Sequence, residues 1–223
     1  IIDKDMYFEN REQAGQILSQ TLLHKYRYED CAVIALNSGG VIVGEQIAEY
    51  IHCVLNMLVI ETLDIPREGL SFGGISQGGR FTYNQDLSAG EISNYTVEYN
   101  GYLQEKQREA FQKINRLVGD GGTVDPILLK NRNIILTTDA LSSTSELDVA
   151  FDFLKPVSTK KVIIAAPVAA IETVDKAHVM ADELHILDVK ENFFNANHYY
   201  ENNNIPSQEE LVQKINKIIL NWK

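Results

Sequence analysis

The sequence has little of what marks several large protein classes, beginning with cysteine. Only two of its 223 residues are cysteines, Cys31 and Cys53, and they lack the paired spacing of a zinc site. A disulfide framework and a cysteine-based metal centre are therefore disfavoured. We expect two free thiols buried in a protein that works in a reducing compartment.

Positive charge is also scarce. Lys and Arg total 20 against 31 Asp and Glu, which gives a formal net charge of -11. Long-range attraction to phosphate requires positive potential, so this balance argues against nucleic acid or an anionic membrane as a partner. A phosphorylated small ligand would need basic residues gathered locally.

Long hydrophobic runs are absent. The longest, such as residues 162–171, fall far short of the ~20 residues that a membrane-spanning helix requires. Residues 1–5 contain no basic region leading into an apolar core, as a secretory signal would. These features predict a cytoplasmic protein with no membrane partner.

The segments that are present alternate between two hydrophobic patterns. Short apolar runs occupy residues 31–36, 54–60, 133–137, 161–167 and 183–187, and helical patterns lie between most of them. Strand, glycine turn, helix and strand in that order build a βαβ unit. The predicted fold class is therefore α/β, with a mostly parallel central sheet flanked by helices.

The middle and the end of the chain add two features to this single predicted domain of residues 1–223. Residues 65–101 are rich in glycine and aromatics and predict a hood or insertion with short antiparallel strands. Its aromatic side chains suit packing under the insertion, or alternatively stacking on a base: Phe72, Phe81 and Tyr83. Residues 207–222 predict a C-terminal amphipathic helix.

Two turns lie where strands of the predicted sheet end, at residues 37–40 and 138–146. In open α/β sheets ligands bind at the carboxyl ends of the strands, so both turns are candidate ligand loops. Each has a structural alternative: Ser38, Gly39 and Gly40 suit a tight turn, and Asp139 suits a solvated strand end. Residues 143–146 match the S-x-x-E capping box of an ordinary helix start.

Several segments, in order along nearly the whole chain, resemble those of type I phosphoribosyltransferases, in particular a bacterial branch of that family. The matching segments and the family patterns are residues 8–15 (FENREQAG, family F-x-D-R-x-x-A-G), 35–41 (ALNSGGV, family A-L-P-R-G-G-V), 73–79 (GGISQGG, family G-A-I-A-E-G-G), 131–136 (NRNIIL, leading into the phosphoribosyl-pyrophosphate signature), 166–169 (APVA, family P-V-A), 181–183 (ADE, family A-D-E/V) and 193–200 (FFNANHYY, family F-x-x-V-G-x-W-Y). The resemblance implies a type I phosphoribosyltransferase fold.

The resemblance also implies a site. In the family, two adjacent acids hold the ribose hydroxyls, a small-residue loop (D-D-G-I-A-T-G-A-T) cradles the 5′-phosphate, and a P-R-G-G loop with Mg²⁺ holds the pyrophosphate. By this alignment Asp139 is the catalytic candidate, and no protein-built metal site is expected. The ligand-binding candidates are Ser38, Gly39, Gly40, Thr138, Asp139, Ala140, Ser142, Ser143, Thr144, Ser145 and Glu146.

The chain departs from the family pattern at the positions that handle charge. Thr138 replaces the first acid, Ser38 replaces the loop arginine, and Glu146 stands where a phosphate-binding threonine is expected. Thr144 replaces a glycine. A capping box formed by Ser143 and Glu146 would satisfy the helix start with the protein's own carboxylate, which would repel a phosphate.

These departures leave three hypotheses. The first is a binding or regulatory protein with a degraded phosphoribosyl-pyrophosphate site and weak or no transferase activity. The second is an active phosphoribosyltransferase of nucleotide metabolism with an unusual substrate, and the third is a structural subunit. The resemblance implies a small phosphorylated ligand or nucleotide, Mg²⁺ if phosphoribosyl pyrophosphate binds, and a homodimer.

Overall fold

The computed structural model describes residues 7–222, so the predicted absence of a signal at residues 1–5 lies outside the described part. Within these residues, eight strands form two sheets. The strands are β1 (Cys31–Ala35), β2 (Val54–Met57), β3 (Ile60–Asp64), β4 (Ser71–Ser76), β5 (Phe81–Tyr83), β6 (Asn133–Thr137), β7 (Lys161–Ala170) and β8 (Glu183–Lys190). The helices are α1 (Arg11–Tyr26), α2 (Ser38–Ile51), α3 (Ala89–Glu98), α4 (Asn100–Gly119), α5 (Ser145–Leu154), α6 (Ile171–Met180) and α7 (Gln208–Lys217).

The larger sheet has five parallel strands in the order β2-β1-β6-β7-β8. Every residue of β1 and β6 is buried, as expected for central parallel strands that are covered on both faces. Hydrophobic clusters lie on the two sides of this sheet, between the strands and the flanking helices. The predicted α/β fold class is therefore confirmed.

Strand order reverses between β1 and β6. From β1 the chain passes to β2 on one side, and the later parallel strands are added on the other side through β6. The loops that follow two such strands diverge and leave a gap at the carboxyl ends of the strands, where ligands bind in folds of this kind. Both predicted ligand loops, residues 37–40 and 138–146, follow these two strands.

The middle of the chain forms a second sheet of three antiparallel strands, in the order β3-β4-β5. Phe72, Phe81 and Tyr83 stand on it and pack against one another, with ring centroids 5.0 to 5.8 Å apart. Phe72 is buried with Ile65 and Leu103. This supports the packing interpretation of the aromatic set over base stacking.

The predicted C-terminal helix of residues 207–222 is shorter than expected, because the α-helix ends at Lys217 and a 3₁₀ turn over Ile218–Asn221 follows it. Helix α2 begins directly after β1, at Ser38, because the Asn37 side chain caps it by accepting a hydrogen bond from the Gly40 amide. Helix α5 begins at Ser145, within the second predicted ligand loop.

The two cysteines and the helices of residues 7–222 agree with the expectations from composition. Cys31 and Cys53 are both buried and free, as predicted. Burial raises the pKa of the Cys31 thiol to about 11, so it is protonated near neutral pH. No helix within residues 7–222 is both long enough and apolar enough to cross a bilayer.

Replacing Leu147 by Ala should destabilise the protein by about 2–5 kcal/mol, because this fully buried side chain of α5 fills the core on one side of the parallel sheet. Urea unfolding followed by circular dichroism measures the loss. Val179→Ala, at a residue that is 88% exposed, is the control and should change the free energy of unfolding by less than about 0.5 kcal/mol. Equal effects would contradict the packing described for α5.

Candidate functional site

The two predicted ligand loops meet at the carboxyl ends of β1 and β6. The Leu36 amide donates to the carbonyl of Thr137 over 2.9 Å. The Asn37 side-chain amide donates to the Thr138 hydroxyl over 2.8 Å. Candidate residues that are about a hundred positions apart in the sequence therefore lie side by side.

The two glycines in the first turn of α2 allow this contact. A Cβ atom on Gly39 would lie 2.2 Å from Oδ2 of Asp139, and one on Gly40 would lie 2.8 Å from the Thr137 carbonyl oxygen. No side chain fits at either position without moving the loop. These glycines, predicted to form a tight turn or a ligand loop, thus allow α2 to pack closely against the end of β6.

Asp139, the predicted catalytic residue, is buried and paired. Its Oδ2 accepts a hydrogen bond from Nε of Arg11 over 2.7 Å, and the two side chains are 8% and 2% exposed. A buried carboxylate requires such a partner, because desolvation of an isolated charge is very costly. Part of the hydrogen-bonding capacity of Asp139 is therefore used within the protein.

Arg11 also binds the C-terminal segment. Its terminal nitrogens donate to Oδ1 of Asn197 over 2.7 Å and to Oδ1 of Asn203 over 3.3 Å. Its guanidinium lies 4.5 Å from the ring centroid of Tyr200, whose hydroxyl donates to the Asp139 carbonyl over 2.6 Å. One arginine thus joins the start of α1, the end of β6 and residues 197–203.

Arg11 and Tyr200 were not among the predicted site residues. A signal for both was present, since they lie in the first and last segments of the family resemblance, at residues 8–15 and 193–200. Nothing in the sequence indicated that these two segments meet at Asp139.

The rest of the second loop is held by β7. The Leu141 amide donates to the carbonyl of Val168, and the Leu141 carbonyl accepts from the Ala170 amide, at 2.8 and 2.9 Å. Ala140 and Ser145 are buried, while Ser142 and Ser143 are exposed. The structure therefore does not bring all the candidates of residues 138–146 to one surface.

The predicted capping box of Ser143 and Glu146 does not form. The helix cap is Thr144, which has helical backbone angles and makes no side-chain cap hydrogen bond. The Ser143 hydroxyl accepts instead from the Ser145 amide over 3.2 Å. This expectation is wrong because the helix begins one residue later than the box requires.

Glu146 turns toward a cavity of about 260 Å³ at the carboxyl ends of β1 and β2. We call this cavity the crevice; its lining residues are Leu36, Asn37, Ser38, Met57, Leu58, Val59, Ile60, Glu61, Lys113, Leu117, Glu146 and Gln208. Burial, together with the negative charge of Asp139, raises the pKa of Glu146 from 4.5 to about 7. Of the residues with predicted ligand roles, Ser38 and Glu146 share this cavity.

The crevice carries more negative than positive charge. Lys113 of α4 is the one lysine or arginine among its lining residues, and its Nζ lies 2.7 Å from Oε1 of Glu61 on β3. One lysine therefore faces two carboxylates, those of Glu61 and Glu146.

Thr144 takes part in a different contact, with the antiparallel sheet. Its hydroxyl donates to Oδ2 of Asp86, in the turn that follows β5. Lys176 of α6 donates to Oδ1 of Asp86 over 3.0 Å and to Oδ2 of Asp148 over 2.9 Å. The side chain of Thr144 is thus occupied by a carboxylate of the protein.

The described residues do not fit a metal centre built by the protein. Across residues 7–222 there is no group of three or more His, Cys, Asp or Glu side chains arranged to hold a metal ion. A Mg²⁺ ion brought by a polyphosphate ligand would find Glu61 already paired with Lys113 in the crevice.

Comparisons with known proteins add relatives in sequence and in structure. The chain matches no family model. Two Mycobacterium tuberculosis proteins, from strains CDC 1551 and H37Rv, are named "Putative phosphoribosyl transferase". Each is 26% identical to this chain over 206 residues, which cover 92% of the chain and 45% of the relative. The chain thus spans about half the length of these curated relatives.

A solved structure shares the fold. The crystal structure of TT1426 from Thermus thermophilus superposes with a TM-score of 0.71 at 19% identity, covering 97% of this chain and 99% of that one. The resemblance predicted from the sequence is confirmed by the named relatives. The chain is therefore similar over 92% of its length to two relatives named putative phosphoribosyl transferases, and its α/β fold is that of the Thermus protein.

Proposed function

We propose that the protein binds a small ligand in the crevice and has weak or no phosphoribosyltransferase activity. The observation that carries this proposal is the charge of the crevice, where Glu61 and Glu146 outnumber Lys113. A pyrophosphate group brings several negative charges. Two like charges about 4 Å apart repel by ~1 kcal/mol in water and by more in a partly buried site.

The state of Asp139 supports the same conclusion. In the resembled family, the acids at this strand end hold the ribose hydroxyls. Here Thr138 replaces one acid, and Oδ2 of Asp139 accepts from the buried Arg11. Each lost hydrogen bond to a ligand costs about 0.5–1.5 kcal/mol, so several losses together would weaken binding and transfer.

The names of the Mycobacterium relatives favour the second hypothesis, an active transferase. In that case Mg²⁺ bound to phosphoribosyl pyrophosphate would supply charge neutralisation at the pyrophosphate. The residues of this chain would have to position the ribose through Asp139 and accept the phosphate near Glu146. The two functions therefore differ most clearly in the affinity for phosphoribosyl pyrophosphate.

At pH 8, where Glu146 with its pKa of about 7 is mostly ionised, isothermal calorimetry with phosphoribosyl pyrophosphate and Mg²⁺ should show no binding in the micromolar range, because the crevice repels polyphosphate. Glu146→Gln should raise the affinity about fivefold, since it removes a repulsion on the order of 1 kcal/mol. Glu105→Gln is the matched control, because Glu105 is an exposed residue of α4 that pairs with Arg108. Micromolar binding by the unaltered protein would refute the proposal in favour of the transferase.

Glu146 should also make stability depend on pH. Its pKa in the folded protein is about 7 against 4.5 for an ordinary glutamate. Below pH 4.5 the group is neutral in both states and costs nothing. As the pH rises from 4.5 to 7, only the unfolded state ionises freely, so the free energy of unfolding falls.

The free energy of unfolding of Glu146→Gln relative to the unaltered protein should therefore grow between pH 4.5 and 7 and then level off. The total change should be on the order of 1–3 kcal/mol. Urea unfolding at half-unit pH intervals measures it. Glu105→Gln should give a flat difference over this range, since hydrogen bonding to Arg108 lowers the pKa of Glu105. A flat profile for Glu146→Gln would contradict the environment described for this carboxyl group.

A further inference from the structure

The turn after β5 is attached to α5 and α6 through charged side chains. Two carboxylates of α5 accept hydrogen bonds from the antiparallel sheet and from the turn that follows it. Asp148 accepts from the Gln85 amide over 3.0 Å, and Asp152 accepts from Arg80 Nε over 2.6 Å and from the Thr82 hydroxyl over 3.0 Å. In a third contact the carboxylate belongs to the turn after β5, and the hydrogen-bond donors belong to the loop before α5 and to α6.

That third carboxylate is Asp86. Its two oxygens accept from the Thr144 hydroxyl and the Lys176 ammonium. These contacts lower the pKa of Asp86 although partial burial acts in the opposite direction. Asp86 is therefore an anion at neutral pH, held by one hydroxyl and one ammonium group.

The contact joins the turn to a residue of the candidate ligand loop. Thr144 belongs to residues 138–146, whereas Asp86 and Lys176 were not singled out from the sequence. Two acceptor oxygens on one anionic group are also what a phosphate monoester presents to a hydroxyl and an ammonium donor. Asp86 thus occupies donors that a phosphate group could use.

Exposure distinguishes the two carboxylates that share Lys176. The Asp148 side chain is 1% exposed and that of Asp86 is 55% exposed, while Lys176 is 19% exposed. Asp148 lies in the body of α5 and cannot leave without exposing its buried surroundings. Asp86, on a surface turn, can rotate into solvent at little cost, because exposed ion pairs are weak.

We propose that Asp86 makes an autoinhibitory contact: it blocks the Thr144 hydroxyl and the Lys176 ammonium, and a phosphate group displaces it to bind there. The inhibition is competitive, since one anion replaces another on the same two donors. When Asp86 leaves, Lys176 and Asp148 remain as a neutral pair, so one negative charge is removed from the neighbourhood of the incoming phosphate.

This inference goes beyond the proposed function, because it assigns an anion site to a part of the loop of residues 138–146 that does not line the crevice. It rests on that function only for the identity of the loop. The Asp86 contact lowers the phosphate affinity only while it is closed. The charge of Glu146, in contrast, is present whenever the pH is above the pKa of this group.

The test is calorimetric titration of inorganic phosphate into the full chain and into Asp86→Asn. The asparagine keeps the size of the side chain but cannot form the ion pair with Lys176. If the contact is closed in about nine molecules of ten, its release should tighten phosphate binding about tenfold. A parallel titration with ribose 5-phosphate shows whether a sugar adds to the affinity.

Asp152→Asn is the matched control. It removes the same charge from another contact of the antiparallel sheet, but Asp152 is a residue of α5 that accepts from Arg80 and Thr82 and does not touch the candidate loop. It should leave phosphate affinity within twofold of the unaltered protein. An equal gain in this variant would overturn the proposal, because net charge alone would then explain the result.

A second variant identifies the donor. Asp86→Asn combined with Thr144→Val should lose most of the tenfold gain, because valine keeps the shape of threonine without its hydroxyl. Lys176→Met is less informative, since it would leave the buried Asp148 without its cation. Thermal melting within about 3 °C of the unaltered protein verifies that the variants fold.

The outcomes separate this proposal from the proposed function. Unchanged phosphate affinity in Asp86→Asn, or a gain that survives Thr144→Val, would overturn the autoinhibitory contact. Micromolar binding of phosphoribosyl pyrophosphate to the unaltered protein would overturn the proposed function, whatever Asp86→Asn does.

Discussion

The buried ion pair between Arg11 and Asp139 is the interaction on which the arrangement of the site depends. The two residues are separated by 128 positions in the sequence, and both side chains are almost fully removed from water. A buried charge without its partner is strongly destabilising, so neither residue can be placed independently of the other. The ion pair therefore fixes the start of α1 against the end of β6.

The rest of the site follows from that constraint. With Asp139 held against Arg11, its carboxylate leaves no room for a side chain on Gly39, so α2 begins directly against the end of β6. Tyr200 and Asn197 complete the shell around the guanidinium and bring in the C-terminal segment. The charge of Asp139 still reaches Glu146 and contributes to its raised pKa. An interaction that stabilises the fold thus also affects the crevice.

The fold could be predicted where the signal was local. The apolar run at residues 133–137, which predicts a strand, coincides with β6. The site could be predicted only in part. Sequence patterns located the two loops, but the partners of Asp139 and Thr144 lie 128 and 58 positions away. Contacts between residues so far apart in the sequence decide whether a carboxylate faces solvent, a lysine or a cavity.

Three S-x-x-E segments illustrate the same limit within one chain. Ser88 and Ser207 have extended backbones, with ψ angles of 158° and 160°, and both form complete capping boxes with a glutamate three residues later. Before α5 the chain is already fixed, because Leu141 is hydrogen-bonded to β7 on both sides. Thr144 consequently enters the helix with helical angles, and Ser143 lies outside the cap position. The glutamate that would have closed a third capping box is instead directed to the crevice, where its charge opposes a polyphosphate ligand.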